Sequence, residues 1–179
     1  LNWTYTLGVG LMDPLSVGAT AVLYGGKAEP HVWADVIAGF DIAVFAAVPT
    51  VYRRLLKYGD VAKVRTSRLK HGVCAGEPLS AELWQAWRDA TGRELYEALG
   101  MTEISTYISS GPITPTKPGV PGKPQPGRRV AILDPETHRP VDAPGAIGLL
   151  AVHRSDPGLM LGYWRQPEAD AEVFFGEWF

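Results

Sequence analysis

Apolar runs alternate with helical stripes along roughly the first 110 residues, and that alternation sets the expected architecture. Ala19-Thr-Ala-Val-Leu-Tyr24 reads as a strand closed by Gly25-Gly26. From His31 to Phe40, the residues Val32, Val36, Ile37 and Phe40 share one helical face. Ile42 to Val48 reads as a buried strand stopped by Pro49. Val51, Tyr52, Leu55 and Leu56 then give the apolar face of a short helix ending near Gly59. Gly72-Val-Cys-Ala75 and Leu95-Tyr-Glu-Ala-Leu99 are two further buried strands. Between them Ser80 suits an N-cap and Glu82 the first turn; Leu83, Trp84, Trp87 and Ala90 follow at helical spacing, and Gly92 supplies the stop. Strands alternating with helices predict an α/β fold, with a parallel-sheet βαβ subdomain over residues 1–111.

After Gly111 the pattern changes. Six prolines between Pro112 and Gly127 exclude a long regular element there. Arg129 to Leu133 and Ile147 to His153 are short strand candidates, separated by the turn-rich stretch from Pro135 to Gly145, and Pro167 to Phe175 suits one short helix. Residues 112–179 therefore read as a Pro/Gly-rich linker and a small β-rich subdomain.

Chemistry concentrates where two of the strands end. The strand at Gly72–Ala75 runs into Ala75-Gly-Glu-Pro78, and the strand at Leu95–Leu99 lies within Glu97-Ala-Leu-Gly-Met-Thr-Glu103. Neighbouring strand ends of an open sheet that finish in such turns build a ligand crevice. Gly76 and Gly100 let a flat or charged group approach the main chain. Thr102 offers a hydroxyl to a phosphate or acyl oxygen, and Glu103 a hard carboxylate oxygen suited to Mg²⁺. This is half of a nucleotide site. Other candidates read more plainly: Cys74 as a small buried hydrophobe, Trp84 and Trp87 as core, the four histidines without metal spacing, and Lys57, Lys63, Arg65, Arg68 and Lys70 as solvated surface.

Composition adds limits. A length of 179 residues allows a sizeable core in one or two domains. A formal charge of −2 gives no electrostatic case for nucleic acid or an anionic membrane. One cysteine excludes an internal disulfide framework and fits a cytoplasmic location. No apolar run approaches the roughly 20 residues that span a bilayer. The chain opens at Leu1 without a leader pattern, and is expected to be cut from something longer.

Five motifs, in order, resemble the adenylate-forming (AMP-binding) superfamily, which includes acyl-CoA synthetases and the adenylation domains of peptide synthetases. They are Ser67-Arg-Leu-Lys-His-Gly-Val-Cys-Ala-Gly-Glu-Pro-Leu79, Glu97–Glu103, Gly122-Lys-Pro-Gln-Pro-Gly127 with Val130-Ala-Ile-Leu-Asp134, Leu161-Gly-Tyr-Trp164, and Pro167-Glu168. The start, Leu1-Asn-Trp3 with Leu15-Ser-Val-Gly-Ala-Thr20, is similar to that of short- and medium-chain acyl-CoA synthetases.

The resemblance implies ATP-dependent activation of a carboxylic acid as acyl-adenylate, then transfer to coenzyme A. It puts Glu103 on Mg²⁺ and Thr102 near the α-phosphate. Ala75, Gly76, Glu77 and Pro78 would border the adenine, with Glu97, Ala98, Leu99, Gly100 and Met101 beside it. Leu99 stands where many relatives stack Tyr or Trp on the base. The acyl pocket would use Phe45, Ala46, Ala47, Val48, Pro49 and Thr50, with Trp3 as a wall. A phosphate loop with its lysine, the ribose-binding aspartate and a C-terminal domain with the adenylation lysine are expected outside these residues. The segment alone is therefore expected to be inactive and to self-associate. A peptide-synthetase-type domain and a non-catalytic α/β binding domain are the alternatives. A dinucleotide-binding dehydrogenase would need G-x-G-x-x-G after the first strand, which Gly8-Val-Gly10 does not supply.

Overall fold

The computed structural model describes residues 4–179. Near the N-terminus, α1 (Thr4–Leu7), a π-helical turn (Gly8–Met12) and α2 (Asp13–Ser16) run in succession. Then come α3 (Pro30–Gly39), β1 (Val44–Ala47), α4 (Pro49–Tyr58), α5 (Val61–Thr66), β2 (His71–Cys74), α6 (Ala81–Thr91), β3 (Glu94–Met101) and β4 (Ser105–Ser109). The second half holds β5 (Lys123–Pro124), β6 (Val130–Leu133), β7 (Leu149–Val152) and α7 (Pro167–Val173).

The main sheet has the order β1-β2-β3-β4-β5. Strands β1, β2 and β3 are parallel, with Ala47 opposite Cys74 and Cys74 opposite Glu97. Their C-terminal ends are thus level, and the loops leaving them share one edge. Strands β4 and β5 add on antiparallel. Strands β6 and β7 form a separate antiparallel pair. The architecture is the expected α/β arrangement, a parallel core with a small second sheet.

Helices α3 to α6 cover one face of β1–β3. Ala34, Ile37, Tyr52, Leu55, Val64, Leu69, Leu83, Trp87 and Leu95 form the buried cluster, with Phe45 and Ala47 packed against it. Aromatic rings run through it from Trp33 to Phe45 (5.9 Å between centroids), Tyr52 (5.5 Å) and Trp87 (4.9 Å). The Phe45–Tyr52 and Tyr52–Trp87 pairs are edge-to-face, which adds to the stabilisation from burial. Helix α6 starts and stops as its sequence dictates: Ser80 Oγ accepts from the Leu83 amide at 3.3 Å, and Gly92 closes it in the left-handed conformation.

The opposite face is thinly covered. Tyr5, Ala75 and Ala98 form a small buried cluster with Val9, Ala46 and Val73 against it. Beyond it Val44 is exposed, and His71 lies 5.1 Å from the Tyr96 ring, both partly exposed.

Three expectations are corrected. Ala19–Tyr24 is not a strand: no described segment pairs with it, and apolar character alone makes no ladder. Phe40 stays 65% exposed, because α3 buries Pro30, Ala34 and Ile37 instead. The main sheet also runs past the composition break at Gly111, since β5 lies beyond the break and pairs with β4. Strand β4 and helix α5 are additional elements, α5 being capped by Asp60.

A third cluster joins β4 to the second sheet: Ile104, Tyr107, Ile108 and Val152, with Leu99, Val130 and Leu159 against it. Arg128 crosses the same junction, pairing with buried Asp156 and donating to the Thr106 carbonyl at 2.9 Å. The β3–β4 register shifts between Leu99 and Gly100: Leu99 faces Ile108, whereas Gly100 faces Thr106, leaving Tyr107 as the extra residue. Among the described residues no helix is long and apolar enough to cross a membrane.

Candidate active site

The strand ends that the sequence singles out come together. Ala75 and Gly76 after β2, Gly100 and Met101 at the end of β3, and Thr102 and Glu103 just beyond it line one cleft of about 260 Å³ with Tyr5, Ser105 and Thr106. Gly76 has φ +87°, a conformation that costs other residues a steric penalty. A Cβ at Gly100 would collide with the Ser105 carbonyl, so the close β3–β4 approach requires glycine. Ser105 itself is left-handed, with φ +62°. Strain of this kind gathers where a turn must hold a functional group. Here it holds Thr102 and Glu103 at the tip, anchored by fully buried Ile104.

Glu97 does not line this cleft. Its buried carboxylate accepts the Leu79 amide at 3.0 Å, while Ser110 Oγ accepts its backbone amide at 2.8 Å. Burial raises its pKa, an effect partly opposed by the Leu79 hydrogen bond. Glu97 therefore staples the β2 loop to β3. Ala98 is buried against Tyr5 and Ala75, and Leu99 packs toward the second sheet.

Glu77 turns toward α4. Thr50 Oγ1 lies 3.0 and 3.1 Å from its two oxygens, and Arg53 is 3.7 Å from Oε2. Both charged groups are substantially exposed, so this pairing orients the loop more than it stabilises the fold. Pro49 is buried at the start of α4 and Val48 precedes it in extended conformation. Ala46 faces the Tyr5 side, whereas Phe45 and Ala47 face the aromatic core. Trp3 lies outside the described residues. Cys74 is buried, and desolvation first, then Glu97 and Glu77, push its thiol up to about 12, which leaves it inert as a nucleophile.

Tyr5, Ser105 and Thr106 line the cleft without a sequence motif of their own. From outside the lining, Tyr163 donates its hydroxyl to Glu103 Oε1 at 2.9 Å. Tyr163 sits inside the Leu161-Gly-Tyr-Trp164 motif, but its partner is 60 residues away, beyond any local pattern.

Known proteins match both sequence and fold. A family model described as AMP-binding enzyme covers residues 1–164. Benzoate–CoA ligase of Thauera aromatica is 33% identical over 178 residues, 99% of this chain and 33% of that protein. Acetyl-coenzyme A synthetase of Bacillus subtilis is 32% identical over 182 residues, 99% of this chain and 32% of that protein. The anthranilate CoA ligase AuaEII, solved with anthranoyl-AMP, superposes with a TM-score of 0.86 at 32% identity, over 99% of this chain and 34% of that one. The chain thus spans about a third of the length of the curated relatives it matches. With the family model covering most of the chain and the fold agreeing throughout, the chain belongs to the AMP-binding enzyme family.

Proposed function

We propose that these residues form part of an ATP-dependent, AMP-forming carboxylate–CoA ligase, contributing the adenine edge, one wall of the acyl pocket and a cation ligand. The observation that carries this reading is the gathering of Gly76, Gly100, Thr102 and Glu103 around one cleft at the C-terminal edge of a parallel sheet. Relatives named for benzoate, acetate and anthranilate support an acid substrate and coenzyme A as acceptor.

Thr102 would donate its hydroxyl to the α-phosphate as charge spreads over it, the stabilisation that dominates phosphoryl and nucleotidyl transfer. Ala75, Gly76, Gly100 and Met101, which line the cleft, would border the base, with Glu97 holding the β2 loop behind them. Tyr5 and Ala46 share the face on which an acyl group would rest, with Val48, Pro49 and Thr50 continuing that wall past the strand end, while Phe45 and Ala47 face the helical core. Mg²⁺ fits the donor set: the half-exposed Glu103 carboxylate lines the cleft as a hard oxygen donor, next to Thr102. Mg²⁺ is commonly held by one or two carboxylates together with substrate phosphates. Bound there by Glu103, it would neutralise phosphate charge.

The test is Glu103→Ala in the full-length enzyme that contains this segment. Acid-dependent exchange of pyrophosphate into ATP should fall about 100-fold with thermal unfolding unchanged. Exchange at the wild-type rate would remove Glu103 from the reaction.

A further inference from the structure

Glu103 is gripped from the second half of the chain. The Met160 amide donates to its carbonyl oxygen at 2.7 Å, and the Tyr163 hydroxyl donates to Oε1 at 2.9 Å. Tyr163 is fixed in turn, because its own amide donates to Asp170 Oδ1 at 2.8 Å, in the first turn of α7. One short segment therefore holds both the main chain and the carboxylate of the residue at the tip of the β3–β4 turn.

The hydroxyl is suited to this. A tyrosine hydroxyl keeps its proton at neutral pH and can donate it to a carboxylate. A glutamate side chain left to itself samples several rotamers, and fixing them at the moment of binding costs conformational entropy. A carboxylate has about four lone-pair sites, so a donor on Oε1 leaves capacity on Oε2 for a cation. Tyr163 thus settles the plane of the carboxylate without using it up.

We propose that Tyr163, braced by Asp170, is a positioning residue that orients the Glu103 carboxylate for a divalent cation arriving with the nucleotide. This rests on the reading of Glu103 as a cation ligand. Tyr163 touches neither cation nor substrate in this scheme and acts only through Glu103. The second sheet region thereby sets the readiness of a site built on the first.

The experiment uses the full-length enzyme and calorimetric binding of α,β-methylene-ATP over a range of Mg²⁺ concentrations. Tyr163→Phe should raise the Mg²⁺ concentration needed for half-maximal binding about tenfold, leaving metal-free nucleotide affinity and thermal unfolding unchanged. Asp170→Ala, which keeps the hydroxyl but loosens its anchor, should shift the Mg²⁺ response in the same direction by less. In a Glu103→Ala background, Tyr163→Phe should add nothing, as expected for two residues acting as one unit. An unchanged Mg²⁺ response in Tyr163→Phe, while Glu103→Ala is impaired, overturns the inference alone. Equal weakening with and without Mg²⁺ makes Tyr163 a structural residue and overturns it as well. A wild-type Mg²⁺ response in Glu103→Ala overturns the reading of Glu103, and the inference falls with it.

Discussion

The two faces of the parallel strands are built to different rules. Beneath the helices, Phe45, Cys74 and Leu95 meet Tyr52, Leu55 and Trp87 in a core from which water is excluded. On the other face Ala46, Val73 and Ala98 are small or half-covered, with Tyr5 the large neighbour and His71 and Tyr96 partly open. One strand serves both, because successive side chains point to opposite faces. Filling one face holds the sheet together, while the sparseness of the other leaves room beside the cleft.

The sharpest way to break this comparison is to hollow the filled face. Trp87→Ala removes the last ring of the aromatic series and should cost about 3–5 kcal/mol, read as a lowered midpoint in chemical denaturation. A loss of under about 1 kcal/mol would mean that the core collapses freely around the gap.

Enlarging adjacent alanines tests the contrast within one strand. Ala47→Leu should overpack the helix-covered face and lower stability by about 1–3 kcal/mol, with acid preference unchanged. Ala46→Leu should instead shift preference toward smaller acids by about tenfold. Competition assays on the full-length enzyme would read both. An acid preference unchanged from wild type in both variants would place the acyl pocket elsewhere.

The smallest effect concerns His71 on the sparse face. Burial, then nearby Lys70, lowers its pKa below the usual histidine value. The unfolded chain therefore takes up the proton first as pH falls, and the stability contributed by neutral His71 is lost as pH drops from about 6.5 toward the folded value. The stability difference between about pH 7.5 and about pH 5 should shrink slightly in His71→Gln. A difference as large as wild type would mean that His71 titrates alike in both states.

Much of this organisation was legible in the sequence where local rules govern it. Ser80, Leu83, Trp87 and Gly92 spell α6 from cap to stop, and the loops after β2 and β3 were marked by their glycines. Helix α5 also had a signal, with Asp60 ahead of Val61 and Val64, but its six residues give too short a stripe to stand out. Strand β4 was hidden because Ser105 to Ser109 mixes polar and apolar positions and depends on pairing with β3. Ala19–Tyr24 fails for the complementary reason, having strand composition without a described partner. At the site, residue types singled out Thr102 and Glu103, which line the cleft, while the turn away of Glu77 toward Thr50 and the reach of Tyr163 depend on tertiary neighbours.

The extra residue at Tyr107 changes the phase of the ladder. In a regular strand, Tyr107 and Ile108 would point to opposite sides; here both enter the cluster shared with Val152. The shift acts as a clutch between two gears. Upstream of it, Glu97 and Ala98 keep the alternation demanded by the helical core, and downstream Ser105 and Thr106 both line the cleft. The turn that carries Glu103 is thus released from the side-chain phase of the core, although it is continuous with the same strand.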